Sequence, residues 1–369
     1  MTRLLFAIAS TAALLNAADV QPVPANDFTI HEWGTFTSVA ADDGSSLIWD
    51  ALAGKDDLPQ FVKSFGYRCF KRSISDTVRM ETPVMYFYSS RELAAHVKVG
   101  FPGGIITEWY PQARHLTGAI EWPSIKVEPN TSPALLTETE PSRYYAARGT
   151  DSAPIAAGDQ HEKFLFYRGV GNFQIPLSAR VSRDGSIAVE NRGAEPVPIV
   201  ILFENRAGHL GYRNVGELTN AVTLDSPSLD SSLPVLRTEL ETALITQGLF
   251  RKEAEAMVET WRDSWFEEGE RLIYIVPSHA VDTFLPLRVD PAPSQTVRVF
   301  VGRIELITPE TKRSVEDAVA AGDWPTIERY DRFMDPILNR IVEEKPFMAN
   351  QIRRVRDKLQ STINAGACR

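Results

Sequence analysis

FTIHEWGTFTSV, residues 28–39, decides how the chain is to be read. It is rich in Phe, Ile, Trp, Thr and Val, residues that pack well on a pleated, half-buried surface. As a strand it sends Phe28, Ile30, Glu32, Gly34 and Phe36 to one face, and Thr29, His31, Trp33, Thr35 and Thr37 to the other. His31 and Glu32 then point in opposite directions and cannot ligate one metal ion together unless a bulge intervenes. The helical zinc-protease motif is also excluded, because Thr35 stands where its second histidine would be.

Similar runs continue to about residue 211. VRMETPVMYFYS, AHVKVGF, GIITEWYP, GAIEWPSIKVEP, EKFLFYRGV and PVPIVILFEN are separated by Gly, Pro, Asp and Asn, a pattern that predicts many strands in antiparallel sheets. In LSARVSRDGSIAVENRG, residues 177–193, alternating flanks meet at Asp184-Gly185, the clearest hairpin of the chain. Helical spacing then takes over: apolar residues fall at 233, 236, 240 and 244, and Phe250, Ala254, Met257, Trp261 and Trp265 recur every three or four positions. RLIYIV, DTFLPLRVD and TVRVFVGRIELIT return to strand, so the helices read as an insertion. Thr308-Pro309-Glu310 supplies an N-cap, a first-turn proline and an acid facing the helix dipole.

The prediction is a mainly β, α+β fold. An antiparallel sandwich-like body spans 19–308, with a helical insertion around 233–266, and a helical C-terminal segment at 309–369 packs on it. Residues 1–18, MTRLLFAIASTAALLNAA, have the positive start, apolar run and small-residue end of a secretory signal peptide. An exported protein, periplasmic or extracellular, is therefore expected. The apolar run is too short to span a bilayer, and no integral membrane segment is expected after signal removal.

A formal charge of -9 argues against a nucleic-acid partner, since phosphates must be neutralised by clustered Lys and Arg. The two cysteines, Cys69 and Cys368, could form one disulfide in an oxidising compartment. Neither a Walker loop nor a dinucleotide glycine fingerprint is present, so no nucleotide cofactor is expected. Oligomeric state is not legible.

Carboxylates on apolar strand faces are the anomaly, because a buried charge must be paired, hydrogen-bonded or neutralised. Glu32, Glu162 and Glu108 are the candidate catalytic residues. Glu162 alternates with Phe164, Phe166 and Arg168; Glu108 with Ile106 and Tyr110; Glu81 with Pro83, Met85 and Phe87. Such carboxylates could converge with Arg168 or Arg79 on one cleft and act as acid and base. Of the six histidines, His31, His161 and His279 are the candidate ligands of a divalent metal such as zinc, with His115 competing for the third place.

Two functions fit these residues. One is an exported hydrolase, with or without metal assistance, with strand-borne His and Glu in an aromatic-lined cleft. The other is a non-enzymatic binding protein whose Trp33, Trp109, Tyr110, Trp122, Tyr167 and Arg168 contact a small-molecule, sugar or peptide ligand.

Overall fold

The structure is a computed structural model and describes residues 28–41, 43–52, 58–65, 75–330 and 333–366. The first half forms β1 (Thr29–Val39), β2 (Trp49–Asp50), β3 (Lys63–Ser64), β4 (Ser75–Asp76), β5 (Val78–Tyr88) and β6 (Leu93–Gly100). It continues with β7 (Gly104–Tyr110), β8 (Arg114–Leu116), β9 (Ala119–Val127), a 3-10 turn at Arg143–Arg148, β10 (Ile155–Ala157), β11 (Gln160–Glu162) and β12 (Leu165–Gly171). Next come β13 (Leu177–Val181), β14 (Ile187–Asn191), β15 (Val197–Arg206), β16 (His209–Leu218) and β17 (Ala221–Leu224), then helices α1 (Leu233–Thr246) and α2 (Arg251–Thr260). β18 (Gly269–Val276), α3 (Ser278–Phe284), β19 (Leu287–Asp290) and β20 (Gln295–Leu306) close the sheets, and α4 (Pro309–Ala321), α5 (Trp324–Arg329), α6 (Met334–Glu344) and α7 (Ala349–Gly366) follow.

The quoted stretch is β1, and it lies fully buried inside a nine-stranded sheet of order β16-β15-β18-β20-β1-β5-β12-β7-β3. β1 runs antiparallel to β5 and parallel to β20. On one face Ile30, Phe36, Met85 and Phe87 join Val97, Ile125, Leu177 and Val189 of a six-stranded and a three-stranded sheet, which makes the sandwich. On the other face Trp33, Val84, Ile273 and Val301 pack against Leu240, Met257 and Trp261 of the inserted helices and their C-terminal cap. Further along that face Val39 and Val170 meet Val315, Ile337 and Ile341 of the C-terminal helices. The mainly β body with inserted and C-terminal helices is therefore as the sequence predicts.

Local chemistry explains the element boundaries. Thr308 accepts from the Thr311 amide, Pro309 opens α4, and Gly322 ends it at φ 69°, a left-handed position that suits glycine. The 184–185 hairpin pairs Val181 with Ile187, and Asp184 accepts from both the amide and the hydroxyl of Ser186.

Two irregularities shift the strand phase. Between Trp33 and Thr35 the pairing with β5 skips from Val84 to Glu81, so Thr82 and Pro83 bulge opposite Gly34, with Thr82 at φ 47°. A second slip, between Arg168 and Gly169, leaves Thr107 of β7 as an extra residue. Two expectations fail for this reason. Glu81 does not share a face with Met85 and Phe87, nor Glu108 with Ile106.

Candidate functional site

The two side chains that opened the sequence reading face opposite sides of the sheet, and each is tied to a distant residue. Glu32 points into the sandwich. Its Oε1 accepts from the Tyr167 hydroxyl at 2.6 Å and its Oε2 from Arg298 Nε at 2.6 Å. Arg298 also donates through Nη1 to the Leu285 carbonyl at 2.7 Å and to Asp282 at 2.8 Å. Burial alone would lower the pKa of this guanidinium, but Glu32 and Tyr167 outweigh it and hold Arg298 above its ordinary value. Burial first, and then the Glu32 charge, keep Tyr167 a neutral phenol and therefore a donor.

His31 points toward α2. Glu253, at the start of that helix, accepts from the Phe250 amide at 2.8 Å and from Tyr88 at 2.7 Å, and holds His31 Nδ1 at 2.7 Å. Glu253 Oε2 already receives the Phe250 amide, and a carboxylate only accepts, so Nδ1 carries a proton. Nε2 is buried without a partner among the described residues, and Phe250 covers the ring with centroids 4.4 Å apart.

Glu162 forms the third buried centre. Arg148 reaches it through Nε at 2.9 Å and Nη2 at 2.7 Å, Tyr144 donates at 3.0 Å, and its own neighbour's amide, Lys163 N, at 2.8 Å. Glu108, 2 % exposed, accepts from Thr107 and lies opposite Arg168 on the next strand.

Thr37 donates to Glu81, and Thr35 lies opposite it. Along β1 the order Trp33, Thr35, Thr37, Val39, and along β12 the order Phe166, Arg168, Val170, run from one helix-facing apolar cluster to the other. A polar seam thus crosses the sheet between them. It continues into Arg303, which donates to the Ser264 carbonyl at 2.8 Å, and into Arg271, whose Nε meets Glu305 at 2.9 Å. Glu81, Glu108 and Glu162 lie on this helix-facing side, whereas Glu32 faces the sandwich, so the four carboxylates do not converge on one cleft.

The proposed metal ligands separate as well. His31 is fully buried beneath α2, His161 is on β11 with Glu128 3.7 Å away, and His279 is exposed on α3. Among the described residues no group of three or more His, Cys, Asp or Glu could hold a metal ion. His115 is occupied elsewhere, stacked against Trp109 at 5.1 Å with its Nε2 on the Ile106 carbonyl. Trp33, Trp109, Tyr110, Trp122 and Tyr167 are core residues, at most 7 % exposed, and present no open face to a ligand. Arg168, 1 % exposed, lies within that interior too.

What opens to solvent lies elsewhere. A groove of about 590 Å³ runs between α1 and the β15–β16 margin of the large sheet, floored by Pro198, Ile199, Ala243 and Ile275. A smaller cavity of about 240 Å³ lies where the ends of β15 and β18 meet α4, and Glu204 and Glu270 are among its walls. Sequence reading missed both. Their residues come from several separate segments, between Pro198 and Ile275 for the groove and between Glu204 and Tyr330 for the cavity, and α1 showed its buried stripe rather than its groove-facing threonines.

No protein-family model matches the chain, and the search of curated proteins gave no match. Solved structures with some likeness include the Fcho1 Mu homology domain of Danio rerio with a bound Eps15 peptide, at 8% identity and TM-score 0.31, covering 76% of this chain and 96% of that one. The yeast delta-COP-I mu-homology domain is matched at 10% identity and TM-score 0.32, covering 77% and 98%. The same domain complexed with a Dsl1 WxWxV peptide is matched at 11% identity and TM-score 0.30, covering 77% and 98%. Superpositions this loose leave the peptides as properties of those proteins.

The exported, metal-assisted hydrolase is corrected on these findings. Its three histidines do not meet, no group among the described residues could hold a metal ion, and its carboxylates are spent on internal donors. The exported location is not retained either: residues 1–18, on which it rests, lie outside the described residues. The Cys69–Cys368 bridge falls on residues outside those described and is likewise not kept. Among the described residues no helix is long and apolar enough to cross a membrane.

Proposed function

We propose that the chain is a non-enzymatic binding module that takes an extended peptide, with an aliphatic side chain of that peptide seated in the groove beside α1. The aliphatic floor of the groove carries this reading. About 590 Å³ falls within the range of small-ligand sites, which combine an apolar lining with a few polar groups that set orientation. The polar groups here are largely engaged. Thr238, Thr242 and Thr246 donate to the carbonyls four residues earlier in the helix, and Glu239 holds Tyr212 and Asn214. What remains toward a ligand is hydroxyl oxygen and the Gln247 amide.

A sugar would need stacking faces and several free donors, and among the described residues no aromatic ring lines the groove. A peptide needs less, since burying one leucine-sized side chain contributes about 1.5–3 kcal/mol. The test is a methyl-NMR titration with a capped leucine tripeptide, with maltotriose in parallel. The tripeptide is expected to shift the Ile199 and Ile275 methyls saturably, and Ala243→Trp, which fills the groove, to weaken that binding at least about tenfold. Maltotriose shifting those methyls in place of the tripeptide, or tripeptide binding untouched by A243W, would overturn the proposal.

A further inference from the structure

Glu204 and Glu270 are directly opposed across β15 and β18, and both are nearly fully buried, at 3 % and 2 % exposure. Like charges facing each other across a pair of strands destabilise it unless something neutralises them. Glu204 has a neutraliser in Arg206. Glu270 has the Ser226 hydroxyl at 3.3 Å, a weak contact for a buried carboxylate. The cavity above this pair is closed on its far side by α4 and by Tyr330, so the pair lies at the joint between the β body and the C-terminal helices.

We propose that the Glu204–Glu270 pair is a pH-sensitive latch on this joint: with Glu270 protonated the two strands and α4 close on each other, and with both carboxylates ionised the contact with α4 loosens.

The groups facing Glu270 set the sign. β15 presents Glu204 and Arg206, the turn before β18 presents Glu268, and β20 presents Glu305. α4 presents Glu310, Arg313 and Asp317, and Tyr330 follows α5. The cavity walls therefore carry five carboxylates (Glu204, Glu268, Glu270, Glu310, Asp317) against two guanidiniums. Both guanidiniums are engaged, Arg206 with Glu204 and, 3.8 Å away, Glu310, and Arg313 with Glu310. A further negative charge on Glu270 thus finds no unengaged cation among the described residues lining the cavity.

Burial pushes the Glu270 carboxyl up to about 7 from an ordinary 4.5, with the Glu204 and Glu305 charges adding to it. Burial raises Glu204 as well, against the pull of Arg206. A carboxyl raised in the docked state binds its proton more tightly there than when undocked. The latch is therefore at full strength below about 4.5 and is lost as pH rises through about 7.

Hydrogen exchange of the full chain between pH 5 and 8, corrected for intrinsic rates, tests this. Protection of residues 309–321 is expected to fall at least about tenfold relative to α1 across that range, with its midpoint near 7. In Glu270→Gln, which keeps the shape and removes the titration, 309–321 is expected to keep its low-pH protection throughout. A flat wild-type profile overturns the proposal whether or not the variant folds, and an unchanged pH profile in folded E270Q overturns it independently.

Discussion

Replacing Arg298 by methionine is expected to destabilise the protein by about 3–5 kcal/mol, because it strands the Glu32 carboxylate inside the sandwich. Glu32 is fully buried, and without the guanidinium it keeps, among the described residues, only the Tyr167 hydroxyl. The Leu285 carbonyl, which Arg298 also satisfies at 2.7 Å, loses its donor too. A loss of that size is a large share of the roughly 5–15 kcal/mol by which domains are stable. Urea unfolding of Arg298→Met measures it. Adding Glu32→Gln to that variant removes the unpaired charge and is expected to recover at least about 1 kcal/mol, since adjacent residues of one network couple by roughly 0.5–3 kcal/mol. Strict additivity of the two substitutions would show that the pair is not an energetic unit.

The alternation of β1 is regular enough that its faces could be read residue by residue. His31 and Glu32 do point apart, and Glu32 is the charge that needs a partner. That partner is 266 positions away, and the partner of His31 is 222 positions away. Nothing local to either strand names them. TVRVFVGRIELIT did display Arg298 and Arg303 in an apolar strand, which marks both as paired, and their spacing of five places them on opposite faces.

The phase of β5 and β7 was lost for a different reason. A single extra residue in a strand flips every side chain beyond it, and the bulge at Thr82 has no sequence signature beyond the proline that follows. Helix boundaries were legible because capping chemistry is local: Thr308, Pro309 and Gly322 all act within one turn of the ends they define. The groove and the acidic cavity were not, because each is made by elements that meet only after the sheet is assembled.

Glu253→Ala is expected to cost about 3–5 kcal/mol, and Glu253→Gln about 1–2 kcal/mol, for reasons that separate charge from hydrogen-bond direction. Alanine leaves the Phe250 amide, the Tyr88 hydroxyl and His31 Nδ1 without their acceptor, and each unsatisfied buried group costs roughly 1–3 kcal/mol. The Phe250 amide belongs to the N-cap of α2, so that lost bond is also the one that caps the helix's first turn. Glutamine keeps one acceptor oxygen but brings an NH₂ group, which meets a donor on whichever side it faces. Turned toward Tyr88 it faces a hydroxyl that can rotate and accept. Turned toward His31 it opposes the Phe250 amide as well, a donor that cannot accept, so a proton moved to Nε2 would relieve only one of the two conflicts. Both carboxylate oxygens of Glu253 are engaged, so these two outcomes differ in which donor is lost. Nitrogen-15 spectra of the His31 ring distinguish them. A proton on Nδ1 in both Glu253→Gln and the wild type is the expected result, because the glutamine oxygen then still accepts from Nδ1 and from the Phe250 amide, and a proton moved to Nε2 would show the side-chain amide turned the other way. Retention of the Nδ1 proton together with a loss as large as that of the alanine variant would mean that the carboxylate charge itself, rather than the direction of its hydrogen bonds, holds α2 to β1.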